Sequence, residues 1–178
     1  LWLEMETAAS GHLATLNGGT MTIWATTDSG HTWAPPATQI TGVTLQNYPY
    51  RLRRRPGGGI WLMGAGTDQE TVIFSPDDGQ TWSVPASIRN AVDMYWVDAQ
   101  RGFALRRTGE ENADGPTFEI MGTTNGGQKY TRLAPETPLN AFNLHFSDAL
   151  NGIAYSGQIL YGTQDGGRTW QLLIYPYE

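Results

Sequence analysis

The sequence predicts an all-β protein in which four-stranded antiparallel sheets repeat about four times along the chain. An octapeptide of the form S/T-x-D-x-G-x-T-W recurs at Thr26–Trp33, Ser75–Trp82 and Thr163–Trp170, with a worn copy at Thr123–Tyr130. Its third residue lies at positions 28, 77, 125 and 165, so successive copies are 49, 48 and 40 residues apart. A period of this size is typical of repeat architectures. No ten-residue stretch shows a helical period of 3.6, so almost no helix is expected.

Short alternating runs, bounded by glycine and aspartate, predict four strands around each octapeptide. In the last repeat these are Asn143–Phe146, Ile153–Ser156, Ile159–Gly162 and Thr169–Tyr175. The earlier repeats give strands at Trp2–Met5, His12–Leu16, Met21–Thr26, Tyr50–Arg55, Ile60–Gly64, Thr71–Ser75, Met94–Val97, Gly102–Arg106 and Phe118–Thr123. The fourth strand of the first repeat is expected to end at Pro35-Pro36, and the acidic insertion at 108–116 to form a solvent-facing hairpin tip, either a tolerated insertion or a partner contact.

Four-stranded sheets that repeat in this way pack radially as the blades of a β-propeller. We therefore predict a single domain over residues 1–178, with repeats at about 1–40, 41–90, 91–138 and 139–178. Three arrangements fit the repeat number: a compact four-bladed propeller, part of a larger ring, or a half that completes itself by pairing.

The octapeptide has a mechanical explanation as a turn. An aspartate at the start of a tight turn accepts hydrogen bonds from backbone N–H groups one or two residues further on. The glycine supplies a positive φ, and the aromatic ring is expected to lie across the hairpin and join the core. We interpret the copies as structural turns, since four evenly spaced catalytic copies would serve no reaction. Their predicted turn residues are Asp28, Gly30, Trp33, Asp77, Gly79, Trp82, Asn125, Gly127, Tyr130, Asp165, Gly167 and Trp170.

The octapeptide resembles the Asp-box, or BNR repeat, of sialidases, xyloglucanases, sortilin-type receptors and the photosystem II assembly/stability factor family. The segments Trp96–Ala104 and Phe146–Ala154 share the form φ-x-D-x-x-x-G-φ-A, where φ is apolar. With the Ile-Leu-Tyr-Gly-Thr strand and the octapeptide that follow, they resemble the photosystem II assembly/stability factor family. That family is noncatalytic and helps to assemble a membrane complex from the lumenal or periplasmic side. The resemblance implies an extracytoplasmic binding or scaffold role, although this chain has about four repeats where that family has about seven.

Composition excludes several classes of function. The net charge of −6 argues against a nucleic-acid partner, and the lack of cysteine excludes disulfides, thiolate zinc sites and a cysteine nucleophile. His12, His31 and His145 lie far apart without ligand spacing, so we predict no metal and no cofactor. No apolar run approaches the length of a transmembrane span. The sequence begins at Leu1 rather than Met. Two explanations stay open: an anchor or signal has been removed, or the chain is a piece of a longer protein.

A cluster of arginines is the most distinctive local feature. On an extended strand, Arg51, Arg53 and Arg55 alternate onto one face. Arginine forks suit carboxylates, so an acidic peptide or an anionic head group is a reasonable ligand. The alternative is that the arginines pair with Asp93, Asp98 and other acids on a solvated rim. The candidate basic patch consists of Arg51, Arg53, Arg54, Arg55, Arg101, Arg106 and Arg107.

An enzymatic role is weakly indicated. A sialidase needs an arginine triad, a Tyr–Glu nucleophile pair and an Asp acid/base, and the Arg-Ile-Pro type motif of that family is absent. We therefore predict a noncatalytic binding or scaffold propeller. Its partners are expected to be proteins of a larger membrane or photosynthetic complex outside the cytoplasm, and self-association is a further expectation. The alternative is a glycan-binding or glycoside hydrolase propeller of the sialidase or xyloglucanase type, or a fragment of one.

Overall fold

A computed structural model of the protein describes residues 2–5, 7–17, 20–35, 40–41, 51–64, 71–77, 79–83, 87–112, 115–134, 139, 141–157 and 159–173. Within these ranges the backbone forms fifteen strands and no helix, which confirms the predicted all-β class. Every strand pairing is antiparallel, and the strands form four separate sheets. The chain divides into two compact units, residues 1–54 with 58–85 and residues 55–57 with 86–178.

The first unit contains two sheets. Sheet 1 consists, in spatial order, of β1 (Trp2–Met5), β2 (Gly11–Asn17), β3 (Thr20–Thr26) and β4 (Ile40–Thr41). Sheet 2 consists of β5 (Arg51–Arg54), β6 (Ile60–Gly64) and β7 (Thr71–Ser75). Alternating side chains from both sheets form one apolar core, because antiparallel strands turn every second residue to the same face. Its members are Ala14, Ile23, Leu52, Ile60, Leu62 and Ile73, with Trp82 packed against them.

The second unit contains two complete four-stranded sheets. Sheet 3 consists of β8 (Ala91–Trp96), β9 (Gly102–Asn112), β10 (Gly115–Thr123) and β11 (Thr131–Arg132). Sheet 4 consists of β12 (Asn143–Phe146), β13 (Gly152–Ser156), β14 (Ile159–Thr163) and β15 (Gln171–Leu173). In each sheet neighbouring strands are joined in chain order, as hairpins require.

Several strands coincide with the sequence-based prediction to the residue, among them β1, β6, β7 and β12. The first repeat differs at its fourth strand, which was expected to end at Pro35-Pro36. Among the described residues there is an isolated bridge between Ala25 and Ala34, and β4 lies further on, at Ile40–Thr41. Because proline cannot donate to a strand ladder, the pairing at Ala34 does not continue through Pro35, and Pro36 lies outside the described residues.

The acidic insertion of the third repeat is a regular hairpin arm. β9 and β10 continue through it, and Asn112 pairs with Gly115 across the end of the arm. The register shifts between Pro116 and Phe118, so a bulge separates the arm from the body of sheet 3. The sequence prediction of a hairpin is correct here, but most of the insertion is strand, because its residues find ladder partners on the opposite strand.

Sheets 3 and 4 pack face to face. We call face A of a sheet the side that carries Phe103 in sheet 3, and face B the opposite side, and we apply the terms to corresponding positions in each sheet. Face A of sheet 3 meets face B of sheet 4, where Phe103 stacks on Phe146 with ring centroids 3.7 Å apart and an interplanar angle of 5°. The shared core contains Phe103, Leu105, Phe118 and Ile120 from one sheet and Leu144, Phe146, Ala154 and Trp170 from the other.

A buried carboxylate fixes the alignment of these two sheets. Asp93 lies on β8 with no exposed surface, and its Oδ2 accepts the backbone N–H of Leu144 on β12 at 2.9 Å. Its Oδ1 accepts the N–H of Met94 at 2.9 Å. A buried ionisable group of this kind is tolerated because hydrogen bonds satisfy both oxygens.

The described residues form only strands, turns and loops, and they offer no helix of the length and hydropathy that a membrane crossing requires.

The close packing of Gly152 against Phe146 generates a test of the fold. A Cβ at position 152 would lie 2.7 Å from the Phe146 ring, so Gly152→Ala is expected to reduce the free energy of unfolding by about 1–3 kcal/mol. In a Phe146→Leu background the smaller side chain leaves room for that methyl group. The free energy of unfolding is measured by urea denaturation for the wild type, both single variants and the double variant. The losses of the two single variants should add up to more than the loss of the double variant. Strict additivity would contradict the packing described.

Candidate functional site

The octapeptide loops are closed by one hydrogen-bond pattern that repeats with little variation. In the last copy, Oδ1 of Asp165 accepts the N–H of Thr169 at 2.9 Å and Oδ2 accepts the Thr169 hydroxyl at 2.6 Å. The Trp170 indole N–H donates to the carbonyl of Gly167 at 3.1 Å. The copies headed by Asp28 and Asp77 make the same three contacts. The pattern explains why the motif requires Asp, Thr and Trp at these spacings.

The hydroxyl at the head of each loop bonds both the side chain two residues on and the glycine N–H four residues on. Thr163 Oγ1 donates to Asp165 at 2.9 Å and accepts the N–H of Gly167 at 3.0 Å. The glycine has a φ of +80°, which a side chain would strain. The prediction that the aspartate accepts an N–H one or two residues further on is wrong for these loops. The hydroxyl accepts the N–H of Gly167, and the Asp165 carboxylate accepts the N–H of Thr169, four residues on. The expected short-range geometry occurs instead in the other turns, where Asp98 and Asp148 accept N–H groups two and three residues on.

These contacts stabilise the charged form of each carboxylate. The Thr32 hydroxyl, followed by the Thr32 N–H, lowers the pKa of Asp28 to about 2, and the equivalent donors of Thr169 lower the pKa of Asp165 to about 2. The pKa of Asp77 is lowered by the Thr81 hydroxyl. Carboxylates that hold their charge in this way are poor proton donors near neutral pH.

The worn copy keeps the loop but changes its charge. Asn125 Oδ1 accepts the N–H of Lys129 at 3.0 Å and the Thr123 hydroxyl at 2.9 Å. Lys129 stands where the other copies have threonine, so the bond to a second carboxylate oxygen has no counterpart. Tyr130 replaces tryptophan and is buried, and burial raises its pKa well above the usual tyrosine range. The loop has therefore exchanged a carboxylate for an amide and gained a cation.

Two arginines of the predicted basic patch stabilise the second unit. Arg55 Nη1 donates to the carbonyl of Gly126 in the worn loop at 2.6 Å, and its guanidinium lies 5.8 Å from the centre of the Trp96 ring. Arg106 and Arg132 both pair with the buried carboxylate of Glu119, the latter at 2.5 Å. The alternative hypothesis, that the arginines pair with nearby acids, thus holds for Arg106. Its partner is Glu119, however, and not Asp93 or Asp98.

The remaining patch residues are distributed over both units. Arg51 and Arg53 are half-buried on one face of β5, and Arg54 is exposed on the other. These three belong to the first unit, and the exposed Arg101 and half-buried Arg107 belong to the second. The Arg101 guanidinium also contributes to a lowered pKa of Asp98, after the N–H groups of Arg101 and Gln100. A single patch formed by all seven arginines stays a prediction.

A cavity of about 430 Å³ lies in the second unit beside the worn loop, and we call it the basic cleft. Three exposed cations line it, namely Arg101, Lys129 and Arg168, and the described lining contains no carboxylate. Arg168 is held in place because its Nη1 donates to the carbonyl of Asp165 at 2.7 Å. The other lining residues are Phe103, Gly122, Thr123, Thr124, Asn125, Thr131, Leu133, Ala149, Leu150 and Gly166.

Sheet 4 has a cavity of about 470 Å³ at the corresponding place, lined in part by Asn151, Asp165 and Thr169. The corresponding residues in the basic cleft are Arg101, Asn125 and Lys129. The same framework thus presents one carboxylate in sheet 4 and two cations in sheet 3. Sequence reasoning included Arg101 but missed Lys129 and Arg168, and the departures of the worn copy from the octapeptide pattern were the available signal.

Comparison with solved structures places the fold among β-propellers. A structure of YCF48 bound to D1 peptide matches with a TM-score of 0.57 at 19% identity, over 97% of this chain and 52% of that one. The uncharacterized protein lmo1340 from Listeria monocytogenes matches with a TM-score of 0.54 at 13% identity, over 94% of this chain and 51% of that one. The GH74 enzyme of Niastella koreensis matches with a TM-score of 0.48 at 12% identity, over 94% of this chain and 36% of that one.

The chain therefore spans about half the length of the YCF48 and lmo1340 chains. No family profile matches the sequence, and no curated protein matches it. At these identities the likeness establishes the fold and not the activity.

The lowered carboxylate pKa values generate a prediction of acid sensitivity. A depressed folded-state pKa stabilises the fold above the unfolded value of 3.8, and this contribution is lost as the pH falls towards about 2. Asp165→Asn should lower the thermal midpoint at neutral pH by roughly 2–4 °C, equivalent to about one hydrogen bond. Thermal unfolding followed across this pH range should show the variant and the wild type converging at the acidic end.

Asn125→Asp is the matched control for this experiment. It supplies a carboxylate where the residue four positions on is Lys129 rather than threonine, so the hydroxyl that contributes most to the lowered pKa of Asp165 is missing. A difference in thermal midpoint between Asp165→Asn and the wild type that stays the same at every pH would contradict the role assigned to the charge of Asp165.

Proposed function

We propose that the protein is a noncatalytic binding propeller that holds an acidic peptide segment of a partner protein in the basic cleft. The observation that carries the proposal is the exchange of charge between the two corresponding cavities: Asn125, Lys129 and Arg101 remove a carboxylate and add two cations on an unchanged framework. Guanidinium and ammonium groups bind carboxylates through charge-assisted hydrogen bonds. The cavity volume is within the range of ligand sites in proteins.

The lining of the basic cleft suits a peptide. Its rim carries the cations, Thr124 and Asn125 offer exposed polar groups, and the buried Phe103 supplies an apolar floor. A segment with acidic side chains and an apolar residue between them would satisfy both kinds of surface. The match to a propeller bound to a peptide, which covers 97% of this chain, supports this class of ligand.

The acids support a noncatalytic role. Every carboxylate whose side chain the structure describes accepts hydrogen bonds that hold a turn, a sheet contact or a buried ion pair. Glycoside hydrolysis needs one carboxyl group whose pKa is raised so that it can protonate the leaving group. The pKa shifts found at Asp28, Asp77, Asp98, Asp148 and Asp165 are all in the opposite direction.

We extend the proposal to the setting of this interaction. The octapeptide resembles the Asp-box, and the φ-x-D-x-x-x-G-φ-A segments resemble those of photosystem II assembly/stability factors. These resemblances support a role as a scaffold subunit or assembly factor that meets its partner outside the cytoplasm, within a larger membrane complex. The remaining arginines of the predicted patch, Arg51, Arg53, Arg54 and Arg107, are proposed as secondary contacts for the same acidic partner.

The experiment exchanges the cleft residues for those of the corresponding cavity. Binding of a fluorescein-labelled peptide of alternating Glu and Gly is measured by fluorescence anisotropy for the wild type and for the double variant Arg101→Asn, Lys129→Thr. Loss of two charged contacts should weaken binding about tenfold or more, which corresponds to about 1.4 kcal/mol. Wild-type binding should also weaken as salt is added.

Two controls make the result specific. Arg89→Asn removes an exposed cation that is outside the cleft lining and should leave binding unchanged. The triple variant Arg51→Ala, Arg53→Ala, Arg54→Ala tests the arginines of the first unit. If the triple variant loses affinity and the cleft variant does not, the basic cleft is not the binding site.

A further inference from the structure

Face A of sheet 4 is an apolar surface that is open in the structure. Cross-strand register places Tyr155 beside Leu160, and Leu160 beside Leu173, on this face. Tyr155 is 40% exposed and Leu173 is 41% exposed, while Leu160 and Ile153 are half-buried. Gly162 lies beneath Leu173, since a Cβ there would be 2.9 Å from that side chain. Large apolar groups gathered on one sheet face are characteristic of an interaction surface.

The corresponding face of sheet 3 is covered. Counting from the turn glycine and from the octapeptide, Tyr155 corresponds to Leu105, Leu160 to Ile120, Ile153 to Phe103 and Leu173 to Leu133. Leu105 and Ile120 have no exposed surface, because face B of sheet 4 packs on them. The arrangement beneath the edge strand is also repeated: a Cβ at Gly122 would lie 2.6 Å from Leu133. Face A of sheet 4 therefore has the side chains of a sheet-packing surface, and no sheet formed by the described residues covers it.

Face B of sheet 1 is the complementary surface. Register places Leu3 beside Leu13, and Leu13 beside Trp24, on this face. Leu3 corresponds to Leu144 of sheet 4, and Met5 corresponds to Phe146. Leu144 is 3% exposed and Phe146 is 1% exposed within the packed pair, whereas Leu3 is 56% exposed and Met5 is 41% exposed. Sheet 1 thus has the apolar residues of a covering sheet, and among the described residues no sheet packs against Leu3 and Met5.

We propose that two copies of this chain associate through these faces, with face A of sheet 4 in each copy packing on face B of sheet 1 in the other. The geometry of the contact is that of the sheet 3–sheet 4 interface, which the chain already forms internally. Because each copy carries both faces, the two contacts of such a pair would cover face A of sheet 4 and face B of sheet 1 in both copies.

Light scattering after gel filtration tests the proposal on the whole 178-residue chain. The expected molar mass is about 39 kDa, twice the 19.6 kDa of one chain. Leu173→Arg on face A of sheet 4 and Leu3→Arg on face B of sheet 1 should each shift the mass to that of one chain. Tyr155→Arg gives a second test on the same face as Leu173 should either variant fail to fold, which circular dichroism would reveal.

The chain offers a closely matched control. Leu172 is on the same edge strand as Leu173 but on the opposite face, it is 61% exposed, and the corresponding residue of sheet 3 is Arg132. Leu172→Arg should therefore leave the dimer intact. A wild-type mass near 19.6 kDa would overturn the proposal, as would a dimer that withstands Leu173→Arg and Leu3→Arg. An assembly of more than two copies would overturn the two-copy closure.

Discussion

The hydroxyl group that begins each octapeptide loop is the contact on which the repeat depends. The hydroxyl of Thr163 donates to the Asp165 carboxylate, and its oxygen accepts the N–H of Gly167 in the same loop. Its residue ends a strand and is buried, so the hydroxyl connects the rigid sheet to the turn. Thr26, Ser75 and Thr123 occupy the same position and make the same pair of bonds. A valine would preserve the strand and remove both bonds, leaving a buried N–H without its acceptor.

The loop controls how sheets stack because it positions the aromatic residue that follows it. The Trp170 ring packs edge-on against Phe146 with centroids 6.2 Å apart, and Phe146 in turn stacks on Phe103 of the neighbouring sheet. The glycine that starts the second strand leaves room for the ring on the first strand of the same sheet: a Cβ would lie 2.7 Å from Phe146 at Gly152 and 2.6 Å from Trp96 at Gly102. A chain of contacts therefore leads from the loop hydroxyl through Trp170 and Phe146 to the packing between sheets 3 and 4.

Sequence reasoning succeeded where the pattern is local. The strand at Asn143–Phe146 and the turn glycines were predictable because alternation and glycine spacing are properties of a few adjacent residues. It did less well where distant residues decide the outcome. The bond from Arg55 to Gly126 joins positions 71 residues apart, and nothing near Arg55 in the chain indicates that carbonyl as its partner. The basic cleft is intermediate, since its cations are separated in sequence but occupy positions that the repeat itself makes comparable.

Repetition also explains how one loop was free to change. Oδ1 of Asn125 still accepts the hydroxyl of Thr123, at the end of the strand, and the N–H of Lys129. The loop therefore closes without a carboxylate. What it gives up is the bond between the second oxygen and a threonine hydroxyl, which is worth about one hydrogen bond of stability. In exchange the cavity beside it loses a negative charge and gains Lys129. A net contribution of that size is small against the packing of a whole sheet, so a repeat can acquire a charged surface of its own while its neighbours maintain the fold.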